Sequence, residues 1–380
     1  MATQSKDKMM GIHELYRPET GEAEVDIVAI HGLNGDAIKT WTADSTGVCW
    51  LKHPDYLPKS IPKARILTYG YNANIFSFTE KDPSSDRIHQ HAHTLIQELC
   101  ADRRLAKRQD YPIIFLCHSV GGIIVKRALS FSKDKTSRKT SHLHTIYTCT
   151  FGILFFGTPH NGSSESRILG TLQKLASTSN VLRKHAQTES DLVRALREES
   201  ETLQNINDYF AGMMKRFRIH FFWEQLPTNI GRNKKDYIVS QESAAPISWP
   251  DAERAGITAD HFNMVKYQSN KAQGFRLVVS ALDMYCSEAP DVIQKRYREV
   301  YDQLNQEWQN EALEQLRGIR PTVPPPTSVF LGQQPTVMLQ SREQFEQYMV
   351  SAGYATSLGP RPIQARQAAD HSRGQVEAAL

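Results

Sequence analysis

The 380 residues, 40% of them hydrophobic, are enough to bury one large core with a small appendage, which excludes a fibrous or fully disordered chain. Lys and Arg number 45 against 41 Asp and Glu, a net charge of +4 with no dense basic block and no interleaved aromatics, so nucleic acid is excluded as a partner. The five cysteines, Cys49, Cys100, Cys117, Cys149 and Cys286, are scattered and form no CxxC pair, which argues for free thiols in a reducing compartment over a disulfide framework or a zinc site.

Residues 1–10 are polar and lysine-containing and read as a disordered N-terminus. No apolar stretch behind them would serve as a signal peptide and no run reaches the length of a membrane span, so an intracellular, unsecreted protein is expected. Gly11 to Tyr16 and Val25 to Ile30 have strand character. The second run stops at His31-Gly32-Leu33-Asn34-Gly35, where two glycines let the backbone turn tightly beside the sheet. Thr40-Trp41 and Cys49-Trp50-Leu51 follow in a loop, and Ala64 to Tyr71 is the next strand, with Tyr69, Tyr71 and Asn72 assigned to packing. Ile88, Ala92, Leu95, Ile96 and Leu99 recur at helical spacing. His89, His91 and His93 lie on that helix with no carboxylate or cysteine at ligand spacing, which assigns them to a solvated face and not to a metal.

The most informative stretch runs from Pro112 to Val125. A short apolar run reads as a strand buried on both faces, breaks at His118-Ser119 and the pair Gly121-Gly122, and resumes with helical character. Strand, sharp turn and helix place Ser119 at the apex, where only very small neighbours fit. A Lys/Ser/Thr-rich loop covers Ser130 to Ser141, and Phe151 to Phe156 is a second wholly apolar strand that stops at Gly157-Thr158-Pro159-His160. Gly152 and Gly157 have Walker-like spacing, but no Lys-Ser/Thr follows, which excludes a P-loop. His160 is read as a loop anchor. Residues 163–215 are helical and amphipathic, with Leu203, Ile206, Phe210 and Met213 on one stripe, and are expected as a cap over the strand ends. Phe217 to Trp223 is strand-like with Glu224 at its end, Asp236 to Ser240 is the last short strand, and Asp260-His261-Phe262-Asn263-Met264 is a loop before a final helix, Lys271 to Tyr285. Residues 287–318 form a separate charged amphipathic helix on Ile293, Tyr297, Val300, Leu304 and Trp308, and the Pro/Gln-rich residues 319–380 read as a disordered tail.

Cys117-His118-Ser119-Val120-Gly121 resembles the nucleophile elbow of the α/β-hydrolases, Gly-x-Ser-x-Gly, with Cys117 where the first glycine is usual and its Cβ crowding the corner. Serine is a poor nucleophile at neutral pH; it needs a neutral imidazole to take its proton and a carboxylate to fix that imidazole. In this fold the chain order is Ser, then Asp or Glu, then His, which gives Glu224 as the acid and His261 as the base, with Asp236, Glu242 and Asp260 as alternatives to Glu224 and His160 as the alternative to His261. The same resemblance makes residues 31–35 the oxyanion loop, with the N–H groups of Leu33 and Val120 as its donors. Together with the run from Phe156 to Ser163 and the Asp260-His261…Met264 loop, these motifs make the chain similar, over residues 11–286, to the serine-active-site-containing, lipase-like α/β-hydrolases. That group is close to the GPI inositol-deacylases, and similar domains begin many fungal NLR-type proteins.

The resemblance implies an α/β-hydrolase fold, a mostly parallel central sheet flanked by helices with a helical cap insertion. It implies cleavage of carboxylic esters, lipid or small, through an acyl-enzyme on Ser119, with no cofactor and no metal. It also implies peripheral contact with mitochondrial or endoplasmic reticulum membranes, and it names no protein partner for the C-terminal helix and tail. A rival reading, motivated by Cys117 and the extra helix, is a catalytically weak or inactive hydrolase-fold interaction module of the fungal NLR type.

Overall fold

The runs with the densest apolar character, Val25–Ile30 (β2), Ala64–Gly70 (β3), Ile113–His118 (β4) and Thr150–Phe156 (β5), are buried along their whole length at the centre of one sheet. Strands covered on both faces must be apolar on both, and each fully buried Ile, Leu, Val or Phe in them contributes roughly 1.5–3 kcal/mol. The structure, a computed structural model, describes residues 9–19, 21–73, 84–160, 170–175, 178, 202–231 and 234–318. Most of the expected cap and the whole tail from 319 lie outside the described residues, and the unit that holds the sheet ends at Gly318.

Seven strands pair in the order β1-β3-β2-β4-β5-β6-β9, with β1 Gly11–Tyr16, β6 Arg218–Glu224 and β9 Glu253–Ile257 completing the set. Only β1 runs antiparallel to its neighbour; every other pairing in this sheet is parallel. Parallel neighbours need crossovers. Helix α1 is the short Leu57–Ser60, α2 (Ser84–Leu105) links β3 to β4, and α3 (Gly121–Lys133) with α4 (Ser141–Cys149) links β4 to β5. Residues 202–211 form α5 ahead of β6, Gln241–Ala244 form α6, and α7, Gln273–Gly318, follows β9. The chain therefore has the expected mostly parallel sheet flanked by helices. No helix among the described residues is long and apolar enough to cross a membrane.

Several sequence expectations are corrected. The last strand of the sheet is β9, because an edge strand can form with a single buried aliphatic, here Ile257. Asp236 instead pairs with Thr228 in a separate two-stranded hairpin, β7 (Thr228–Asn229) with β8 (Lys235–Asp236). Helix α4 occupies residues for which no element was expected; its apolar side chains, Leu143, Ile146 and Tyr147, span too few turns to show a period. His89, His91 and His93 are half-buried and not solvated: Arg127 of α3 donates to Nδ1 of His89 at 3.0 Å, His91 packs on Tyr71 and His93 on Phe131. The boundary at 286/287 falls inside α7, a single helix that accommodates Pro290 and covers β5 through Tyr285.

The register of the sheet sends β2, β4, β5, β6 and β9 the same way, so the turns that follow them share its carboxyl edge. Ligands of open α/β sheets bind at such an edge.

Candidate active site

Ser119 follows the last residue of β4 at φ 54°, a left-handed conformation that costs a residue with a Cβ roughly 1–3 kcal/mol. Three hydrogen bonds hold it there. Its N–H donates to the carbonyl of Phe156 at 2.8 Å, and its own carbonyl accepts from the N–H of Gly122 at 3.1 Å and from Oγ1 of Thr158 at 2.8 Å. The helix that begins at Gly121 passes so close to β2 that a Cβ on Gly121 would lie 2.4 Å from the carbonyl oxygen of His31, and one on Gly32 would lie 2.6 Å from Cβ of Ser119. Glycine at both positions lets the turn after β2 lie directly against the elbow.

Cys117 does not disturb this corner. It is still in regular β4, paired with Ile30 and Phe155, and the turn begins only after His118. Burial pushes its thiol well above the usual range, so it stays protonated and inert as a competing nucleophile. On the other side, Tyr71 donates its hydroxyl to the carbonyl of His31 at 2.8 Å and stacks on that imidazole at 4.3 Å, which fixes the approach to Leu33. Among the described residues, neither the amide of Leu33 nor that of Val120 has a backbone acceptor.

His261 and Glu224 converge on Ser119. Nε2 of His261 lies 3.0 Å from Oγ of Ser119, across 142 positions of sequence. Oε1 of Glu224, the last residue of β6, lies 3.3 Å from Nδ1 of His261, an ion-pair distance but not aligned as a hydrogen bond. In enzymes of known mechanism, contacts of this kind are often long in the free protein and tighten when substrate binds. Ser119, His261 and Glu224 are 1%, 0% and 3% exposed, so charge that develops among them is poorly screened by water. Glu224 is anchored by the amide of Val239, which donates to Oε1 at 2.8 Å, and by the hydroxyl of Thr228, which donates to Oε2 at 3.3 Å. Asp236 lies apart, paired with Lys174 at 3.0 Å, and Asp260 accepts the amides of Phe262 and Asn263 as a turn cap. Glu242, in α6, is exposed at the surface.

His160, the alternative base, belongs to a different cluster, which sequence reading did not foresee. Nζ of the fully buried Lys126 lies 2.6 Å from its Nδ1 and donates to Oδ1 of Asn207 at 2.6 Å, inside a cage of Phe155, Phe210 and Trp249. Burial holds the Lys126 amine well below the usual lysine range and, with Lys126 beside it, holds His160 well below the usual histidine range. A base whose folded pKa is depressed leaves the unfolded chain with the extra proton below the unfolded value. Folding stability therefore rises as pH climbs toward the lysine range, by up to about 1.4 kcal/mol per pH unit for one proton. Lys126→Met removes that proton and strands two acceptors, so the stability gap between the variant and the wild type is expected to widen from pH 7 to pH 9, as read by urea melts at each pH. A constant gap would mean that the amine is charged in the fold.

Residues 25–203 match the family described as "Putative serine esterase (DUF676)". Protein SERAC1 of Homo sapiens is 29% identical over 257 residues, which cover 63% of this chain and 36% of that protein. Protein SERAC1 of Danio rerio is 26% identical over 260 residues, 64% and 36%. The chain thus spans just over a third of the length of the curated relatives it matches. A solved structure of a highly thermostable carboxyl esterase from Bacillus coagulans, in complex with glycerol, superposes with a TM-score of 0.42 at 11% identity, covering 73% of this chain and 100% of that one. The family match contains Leu33, Ser119 and Val120 and ends before Glu224 and His261. The chain is a mostly parallel α/β protein that, over residues 25–203, resembles the serine esterases of that family.

Proposed function

We propose that the chain is a serine hydrolase that cleaves carboxylic esters through an acyl-enzyme on Ser119. The observation that carries this is the 3.0 Å approach of His261 Nε2 to Ser119 Oγ, with the Glu224 carboxylate behind the ring. With Nδ1 facing a carboxylate, the ring proton resides there and Nε2 accepts. As Oγ attacks the ester carbonyl, its proton passes to Nε2, and Glu224 stabilises the imidazolium. The amides of Leu33 and Val120 receive the oxyanion, each donor contributing about 3 kcal/mol. The imidazolium then protonates the departing alcohol. Water, deprotonated by the same nitrogen, releases the acyl group and restores Ser119.

The substrate is proposed to be a lipid ester presented at a membrane surface, by resemblance to the lipase-like group. A panel of p-nitrophenyl esters of rising acyl length tests that part: turnover confined to the shortest chains removes the lipid substrate. The chemistry itself is tested with a fluorophosphonate probe on purified protein. Labelling is expected in the wild type and not in Ser119→Ala; no labelling, or equal labelling of both, favours the interaction-module reading. Cys117 no longer supports that rival, since its side chain sits in regular strand.

A further inference from the structure

The imidazole of His261 makes no aligned hydrogen bond through Nδ1, so its position must come from elsewhere. Two side chains grip its own main chain. The amide N–H of His261 donates to Oγ1 of Thr228 at 3.1 Å, and the carbonyl of His261 accepts from Nε2 of His118 at 2.9 Å. A carbonyl only accepts, so His118 carries its proton on Nε2. Both grips are out of water, with His118 and Thr228 each 4% exposed.

The two come from different parts of the site. His118 is the last residue of β4, joined covalently to Ser119, and Thr228 opens β7 immediately beyond β6 and Glu224. The Thr228 hydroxyl that accepts the amide of His261 donates its own proton to Oε2 of Glu224. The two peptide units that flank the His261 Cα are thus tied, one to the residue next to Ser119 and the other to the group that anchors Glu224.

We propose that His118 and Thr228 are positioning residues that clamp the main chain of His261 and set the imidazole on the Ser119 hydroxyl. The proposal rests on the hydrolase reading above. Burial, then the neighbouring His261 ring, pushes the His118 pKa down to about 3, so the donor stays neutral while His261 cycles through its cation. Neutrality matters because a second charge with ring centroids 5.0 Å apart would oppose that cation.

The test uses the full chain with His118→Leu, His118→Gln, Thr228→Val and Thr228→Ser. Turnover of p-nitrophenyl acetate gives kcat and KM, and hydrogen exchange of peptides covering residues 258–265 reports the loop. His118→Leu and Thr228→Val are each expected to lower kcat by up to about 100-fold, the cost of a misplaced reacting group, while KM changes little. Exchange in 258–265 rises in both. His118→Gln, which keeps an N–H donor, and Thr228→Ser, which keeps the hydroxyl, are expected to recover most of kcat, and their recovery separates positioning from general loss of fold. Unchanged kcat or unchanged exchange in the Leu and Val variants overturns the clamp while leaving the hydrolase intact. Absence of any turnover in the wild type removes the hydrolase reading instead, and exchange alone then decides the clamp.

Discussion

Ser119→Ala and His261→Ala are each expected to lower kcat for ester hydrolysis on the order of 10⁶-fold, and the double variant no further, because a nucleophile without its base and a base without its nucleophile lose the same step. Glu224→Gln is expected to cost less, on the order of 10⁴-fold. In the proposed mechanism its carboxylate does not deliver the proton; it holds the tautomer and offsets the imidazolium charge. The reason the loss is still large lies in burial: water cannot replace a missing charge at a residue 3% exposed, and the amide of Val239 and the hydroxyl of Thr228 are already arranged around an oxygen acceptor. Single-turnover kinetics on purified variants measure these ratios. Additive losses in the double variant would show that Ser119 and His261 do not act as one unit.

Asp26→Asn is expected to destabilise the fold by about 3–5 kcal/mol, a large part of the roughly 5–15 kcal/mol that holds a domain together. Asp26 lies in β2, wholly buried, and is the carboxylate shared by three guanidinium groups. Arg65 Nε and Arg108 Nε donate to Oδ1 at 2.9 and 2.8 Å, Arg65 Nη2 donates to Oδ2 at 3.2 Å, and Arg103 Nη1 donates to Oδ2 as well. Burial pushes the Asp26 carboxyl up, and Arg103, Arg65 and Arg108 together outweigh it and hold it below the usual carboxylate range. Arg65 keeps Asp102 at 2.7 Å, but among the described residues Arg103 and Arg108 would lose their carboxylate partner: the amide of the variant carries no charge, offers one acceptor oxygen in place of two, and turns an NH2 donor toward guanidinium donors. The sign with pH follows. A carboxylate with a depressed folded pKa contributes stability that is present above about pH 4 and lost as pH falls through the folded value, so the wild type should lose its advantage over Asp26→Asn in strong acid. Urea melts at pH 7 and in acid give both numbers. A loss under about 1 kcal/mol at pH 7 would mean that the arginines reach solvent in the folded state.

The central strands and the elbow were legible in the residues because the constraints on them are local. A parallel strand covered on both faces must be apolar at nearly every position, as in Ile113–Leu116 and Phe151–Phe156, with the exceptions paired as Asp26 and Arg65 are, and a strand that reverses into a helix within three residues needs glycine where backbones touch, as at Gly121. One edge of the sheet, β1 at Gly11–Tyr16, was legible as well, but the opposite edge was not. β9 carries one buried aliphatic, and α4 is too short to display a period.

The sequence by itself determined which hydroxyl stands at a turn apex and that an acid and a histidine follow it in the order this fold uses. Only the tertiary structure decided which carboxylate faces which imidazole, that Thr228 and His118 grip His261, that Lys126 and not a carboxylate meets His160, and that Arg65, Arg103 and Arg108 share Asp26. Those partners lie 33 to 143 positions apart. The spacing of residues along a chain records what each turn or strand can tolerate. Which side chains meet across the sheet depends on the register of strands that are not neighbours in sequence, and no local pattern carries that register.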